Sequence, residues 1–167
     1  TSLRFDRLGS ENIRIEKGLS QNTVNCIHQD SRGYMWFGTW DGLNMFDGYD
    51  FTIFKPDLYG SEGGLSNQTI TSMLEDRNGV LWIGTENGLN RFDRHTRTFT
   101  SYVRNGPHPS GLSSDTINYL LQDKHGDLWI ATDYGLCRKD LVTGAVTTYL
   151  PEPGNAGSLG NGIVRWL

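Results

Sequence analysis

Three aspartates and three tryptophans are the first residues in this sequence whose types could do chemistry. Asp30, Asp76 and Asp123 could take the hydroxyls of a sugar, and Trp36, Trp82 and Trp129 could stack on its ring. Their spacing assigns them other work. Each Asp stands three residues before a glycine (Gly33, Gly79, Gly126), and each Trp stands three residues after that glycine. Residues that return in every unit serve the unit. The Asp opens a tight turn by bonding the backbone ahead of it, the Gly supplies positive φ, and the Trp anchors the packing. A ligand should be read instead where the units differ. Those positions are Asn22, Trp40, Asp41, Asn67, Gln68, Glu86, Asn87, Asp115, Asp133 and Tyr134. They form a polar set with aromatic faces among amides and carboxylates, which suits a carbohydrate.

The elements that must position these residues come from the repeat. Gly18-Leu19-Ser20 returns as Gly64-Leu65-Ser66 and Gly111-Leu112-Ser113, at periods of 46 and 47 residues. Gly-Thr at 38–39 and 84–85 becomes Ala131-Thr132, and Gly-Leu recurs at 42–43, 88–89 and 135–136. Each unit parses into four short strands, a to d. In the second unit these are Ile70 to Glu75, Val80 to Thr85, Leu89 to Phe92 and Phe99 to Tyr102, with turn-forming residues between them. Four antiparallel strands per unit of this length, with a fixed Trp and fixed glycines, predict a propeller blade. The fold class is all-β, and the candidate ligand residues fall on its d-to-a and b-to-c loops, at one end of the blades.

The units divide the chain into an N-terminal strand and connection (1–17), blade repeats at 18–63, 64–110 and 111–156, and the start of a fourth at 157–167. Leu3 to Leu8 reads as a strand d without its blade, and Ile163 to Leu167 as a strand a without the rest. At this period, 167 residues hold about three and a half blades, fewer than the usual minimum of about four for a closed ring. The expected partners of the open blade faces are therefore the rest of a larger propeller or a second copy of the chain. Thr1 is read as a processing boundary, with any targeting signal already removed.

The unit Gly-Leu-Ser…Asp-x-x-Gly-x-x-Trp-(Ile/Phe)-Gly-Thr-x-x-Gly-Leu resembles the two-component regulator propeller repeat, and the resemblance covers residues 3–167. Phe5-Asp6-Arg7-Leu8 looks like the start of a mature sensor region of that family. Ala131 for the Gly of Gly-Thr, Lys139 for the usual aromatic of strand c, and the longer connection from Glu11 to Lys17 are its departures. The resemblance implies the periplasmic sensor of a bacterial hybrid two-component receptor. There, propellers stand ahead of a β-sandwich, a membrane helix, a histidine kinase and a DNA-binding regulator, and several such sensors respond to oligosaccharides.

Other function classes find little support. With 15 Lys+Arg against 19 Asp+Glu the net charge is −4, whereas nucleic-acid binders are typically basic. No apolar run nears the roughly 18 residues of a membrane span. The chain has no Gly-x-Ser-x-Gly elbow, His-Glu-x-x-His or phosphate loop, so no catalytic residue is assigned. His28, His95, His108 and His125 share no repeat position and no metal spacing, and read as surface residues; no metal or cofactor is expected. Cys26 and Cys137 make no disulfide framework. Asn44 and Asn90, with Cys137 at the same place in the third unit, read as structural. Two other readings remain: a stand-alone propeller serving as a protein-interaction scaffold, and a polysaccharide-active enzyme using Glu86 or Asp133.

Overall fold

The computed structural model describes residues 18–56, 63–104, 111–156, 158–160 and 162–167. The first blade contains β1 (Val24–Gln29), β2 (Met35–Thr39), β3 (Gly42–Phe46) and β4 (Phe51–Phe54). The second contains β5 (Ile70–Glu75), β6 (Leu81–Thr85), β7 (Gly88–Asp93) and β8 (Thr98–Tyr102). The third contains β9 (Ile117–Gln122), β10 (Leu128–Thr132), β11 (Gly135–Lys139) and β12 (Val146–Tyr149). Each blade is a four-stranded antiparallel sheet in chain order, so the fold is an all-β partial propeller. Strand bounds differ by a residue from the sequence reading: Val80 lies in the turn, while Gly88, Asp93 and Thr98 join strands. Leu3 to Leu8 lies outside the described residues.

The turns show why these segments end where they do. In the first blade, Asp30 Oδ1 accepts the N–H groups of Arg32 and Tyr34, both at 3.0 Å, while its Oδ2 accepts the Trp36 indole N–H at 2.9 Å. Asp76 and Asp123 repeat the arrangement with Trp82 and Trp129. One carboxylate thus closes a turn and fixes the rotamer of a tryptophan. At the b–c turn the glycine is obligatory. Gly42, Gly88 and Gly135 have φ of +116°, +117° and +103°, and a Cβ there would meet the carbonyl oxygen of Phe54, Tyr102 or Tyr149 at 2.6–2.9 Å.

Blades stack face to face, and the core lies in the seams. Between the first two, Trp36 and Leu43 pack with Leu65, Ile70, Leu81, Ile83, Phe92 and Phe99. The Trp36 ring stands 5.2 Å from Phe92, edge to face, and Phe54 stands 5.5 Å from Phe99. The second seam joins Trp82 and Leu89 to Leu112, Ile117, Leu120, Leu128 and Ile130. The blades approach so closely that a Cβ on Gly38 or Gly84 would lie 2.6 or 2.7 Å from Ile70 or Ile117 of the next blade. The corresponding residue of the third blade is the buried Ala131, and the segment after that blade is not a regular strand.

This C-terminal segment corrects one expectation. Ile163 to Leu167 forms no strand. It nevertheless docks as a blade start would, with Val164 N–H donating to the Thr132 carbonyl at 3.0 Å and Asn118 Nδ2 donating to the Val164 carbonyl at 2.9 Å. Asn25 makes the same bond to Ile70 across the first seam, at 2.9 Å. Each of these asparagines sits at the irregularity in strand a where the register shifts, and so reaches past its own sheet. The second blade has Thr71 at this position, too short for that reach, and its buried Oγ1 has no hydrogen-bond partner.

Candidate functional site

The d-to-a and b-to-c loops share one end of the blades, and a buried polar latch holds them. Ser20 N–H donates to Asn44 Oδ1 at 2.8 Å, Asn44 Nδ2 donates to Ser20 Oγ at 2.9 Å, and Ser20 Oγ lies 3.0 Å from Thr39 Oγ1. Thr39 Oγ1 donates to the Gly42 carbonyl and accepts the Asp41 N–H. Ser66, Asn90 and Thr85 form the same latch in the second blade. In the third, Ser113 bonds Thr132, and the Cys137 sulfur takes the place of the amide. All three threonines and both asparagines are fully buried. The latch fixes the serine of Gly-Leu-Ser, and with it the loop that enters strand a.

On this platform each b–c turn meets the start of the next blade. Gly42 N–H donates to the Gln68 carbonyl at 2.8 Å, Gly88 N–H to that of Asp115 at 2.6 Å, and Gly135 N–H to that of Gly162 at 2.5 Å. The candidate residues therefore lie along successive seams: Trp40 and Asp41 with Asn67 and Gln68, then Glu86 and Asn87 with Asp115, then Asp133 and Tyr134 beside Gly162. Asn22 is exposed on the approach to β1. Trp40 and Tyr134 are 56% and 54% exposed. Three carboxylates already have partners. Asp41 accepts Lys55 Nζ at 2.7 Å, Asp115 accepts the Arg104 N–H at 2.8 Å, and Asp133 accepts Asn118 Nδ2 at 3.0 Å. Asn67 Oδ1 caps its own loop by accepting the Thr69 N–H. The side chain of Glu86 is exposed and makes no hydrogen bond among the described residues.

The opposite end, which carries the a–b and c–d turns, has features that sequence reasoning missed. Arg94 bridges two blades: Nη1 reaches Asp30 Oδ2 at 2.5 Å, Nη2 reaches Glu75 Oε1 at 2.8 Å, and Nε donates to the Gly79 carbonyl at 3.1 Å. Glu75 in turn accepts the backbone N–H and hydroxyl of Ser31 at 2.6 and 2.8 Å. Burial pushes the Asp30 carboxyl up, but the Arg94, Trp36 and Tyr34 donors outweigh it and hold it below the usual carboxylate range. His28 corrects the surface reading of the histidines. It is half-buried beside this cluster, its Nε2 is buried without a partner, and burial pushes it below its ordinary value despite Glu75 and Asp30. His95 and His125 are exposed, and His108 lies outside the described residues.

The departures of the third unit also find reasons. Lys139 lies at the position of Phe92, with its ammonium 5.1 Å from the centre of the Tyr102 ring of the second blade, so a cation–π contact replaces an aromatic one. Both thiols are free, and burial pushes the Cys26 thiol up to about 12, outweighing its hydrogen bond from Gly38. Cys26 is therefore a packing residue at neutral pH. Among the described residues no group of three or more His, Cys, Asp or Glu could hold a metal, and no helix is long and apolar enough to cross a membrane.

Blades of this construction define a propeller, and comparison shows what the chain is similar to. Residues 18–41, 64–87 and 111–134 match the family described as two component regulator propeller. A repeat of that family's model thus opens each of the three blades. It is also similar to the extracellular domain assigned to a hybrid two component system from B. thetaiotaomicron, at 29% identity and a TM-score of 0.82 over 93% of this chain and 22% of the other. A second extracellular domain from B. thetaiotaomicron, assigned to a one component system, aligns at 26% identity and a TM-score of 0.72, covering 90% of this chain and 19% of the other. A histidine kinase from Formosa agariphila is 55% identical over 38 residues, 23% of this chain and 3% of that protein. The chain thus spans about a fifth of the extracellular domains it resembles.

Proposed function

We propose that this chain is part of the periplasmic, ligand-sensing propeller region of a bacterial two-component receptor, and that its ligand is an oligosaccharide. The observation that carries the reading is the likeness over 93% of the chain to an extracellular domain assigned to such a system. The exposed rings of Trp40 and Tyr134, standing near Asp41, Glu86 and Asp133 at one end of the blades, support the ligand class. Rings stack on sugar faces, and carboxylates accept hydroxyl hydrogen bonds. The latch beneath the loops makes the face rigid, so binding would act by changing how propeller units sit against each other. The domain bounds carry over as part of this proposal, with blade repeats at 18–63, 64–110 and 111–156. The open blade faces are closed by further blades or by a second copy. Catalysis stays outside this chain.

Calorimetry of a panel of oligosaccharides against the complete protein that carries this chain tests it. We expect one glycan class to bind, and Trp40→Ala with Tyr134→Ala to weaken it at least tenfold. Binding unaffected by those changes would remove this face as the site. A panel without a binder, joined to specific capture of a purified partner domain, would favour the scaffold reading. Sedimentation of the same protein reports whether a second copy closes the open faces.

A further inference from the structure

The two seams repeat one contact and differ in what makes it. In the second seam the a–b turn of the second blade is caught by the last residue of β9, where the Arg77 N–H donates to Gln122 Oε1 at 2.9 Å. In the first seam the Ser31 N–H donates to Glu75 Oε2 at 2.6 Å, and Glu75 is the last residue of β5. A neutral amide holds one turn and a carboxylate holds the other. The strand a position just before the last residue also differs. The second and third blades have Leu74 and Leu121 there, and the first has His28. His28 stands opposite Trp36 in the β1–β2 register, and so shares the face that is turned to the second blade.

A neutral imidazole is tolerated in this place, although its buried Nε2 has no hydrogen-bond partner among the described residues. An imidazolium is not, because both ring nitrogens then carry N–H and a buried donor without an acceptor is costly. The charged groups that act on His28 come from three elements: Glu75 from β5, Asp30 from its own a–b turn, and Arg94 from the c–d turn of the second blade. Asp30 is saturated by two backbone N–H groups, the Trp36 indole and Arg94. Glu75 has room. Its Oε1 accepts the Ser31 hydroxyl and Arg94 Nη2, while its Oε2 accepts only the Ser31 N–H among the described residues. We propose that the first seam is an acid-sensitive joint, in which a proton taken up by His28 draws Glu75 away from Ser31 and frees the a–b turn of the first blade. The proton comes from solvent and stays on the ring, and no other covalent bond changes. Burial outweighs the two carboxylates and keeps the closed-state ring below its ordinary 6.5, with Arg94 acting in the same direction. The opened seam therefore binds the proton more readily than the closed one. The joint is fully held above 6.5 and loosens as the pH falls toward the lower closed-state value. It lies at the end opposite Trp40 and Tyr134, and holds whether or not those residues bind a sugar.

Hydrogen–deuterium exchange of the complete protein that carries this chain tests the joint, with rates corrected for the intrinsic pH dependence of exchange. From about pH 7.5 to about pH 5, protection of residues 31–34 should fall at least roughly tenfold, while that of residues 77–80 stays level. His28→Gln cannot take up the proton and should keep the first turn protected across the range. An unaltered melting temperature at neutral pH confirms its fold, and if it melts early His28→Leu, which copies Leu74 and Leu121, replaces it. A fall that survives replacement of His28 places the proton on Glu75 and overturns the proposal. Equal falls at the two turns, or no fall at either, overturn it as well.

Discussion

Ile27, Met73 and Leu120 occupy one position of the repeat, yet Ile27 is 60% exposed while Leu120 is 3% exposed and Met73 packs into the first seam. The far face of the blades tells the same story. Trp36 and Trp82 are sealed by the next blade, at 0% and 4% exposure, whereas Trp129 is half-buried and stacks on Tyr149 of its own blade at 5.6 Å. The amino acids at these positions are alike, and only the presence of a neighbouring blade differs. Apolar character is a property of the repeat, and burial is a property of the stack.

The largest effect should come from the tryptophans. Trp82→Ala empties a sealed seam and should cost about 3–5 kcal/mol, while Trp129→Ala should cost less than half of that. Urea unfolding of both variants measures the contrast. Equal losses would show that the third blade's open face is covered in solution, and would sharpen the search for its cover.

Next in size is the ion cluster that, among the described residues, only the first seam has. Arg94→Met leaves Asp30 buried without its cation and should cost about 3 kcal/mol at neutral pH. The sign with pH is fixed by the direction of the Asp30 shift. A carboxyl held below its ordinary 3.8 contributes stability that is complete above that value and lost as the pH falls through its lower folded value. Asp123 behaves alike: the Trp129 indole, set against a smaller push from burial, lowers it to about 2. The stability that these two carboxyls contribute should be level above about pH 5 and fall between about pH 4 and 2. In Arg94→Met the fall should begin at higher pH, since burial then dominates at Asp30. Urea midpoints from pH 2 to 7 check this, and superimposable profiles would break the assignment.

The smallest effects are gains. Cys137→Asn would give the third blade the amide latch of Asn44 and Asn90, and should add about 1 kcal/mol. Thr71→Asn would extend to the Ile117 carbonyl as Asn25 extends to Ile70, and should add about 0.5–1 kcal/mol while relieving an unpartnered hydroxyl. Thermal melts resolve both. A loss in either would mean that the third blade, or the middle strand a, is spaced differently from its neighbours.

Much of this protein is written locally. Asp30 with Gly33 and Trp36 specifies a turn and an anchor within seven residues, because a carboxylate can reach only the amides just ahead of it and an indole one strand away. The same holds for the b–c glycines, whose φ no other residue adopts readily. Recurrence of these short signals is enough to give the strands, their antiparallel order and the blade. The Ser–Thr–Asn latch was half legible. Gly-Leu-Ser, Gly-Thr and Gly-Leu-Asn all recur together, but nothing in their spacing says that three residues separated by 19 and 24 positions meet. Arg94 and half-buried His28 were not legible at all. Each depends on the side chains that an adjacent blade places opposite it, at a separation of 44 residues for Ser31 and Glu75 and 64 for Asp30 and Arg94. The sequence by itself determined the blade, since the forces that make it act over a few residues. Only the tertiary stack decided which faces are core and which charges are paired between blades, since those depend on contacts that no local pattern records.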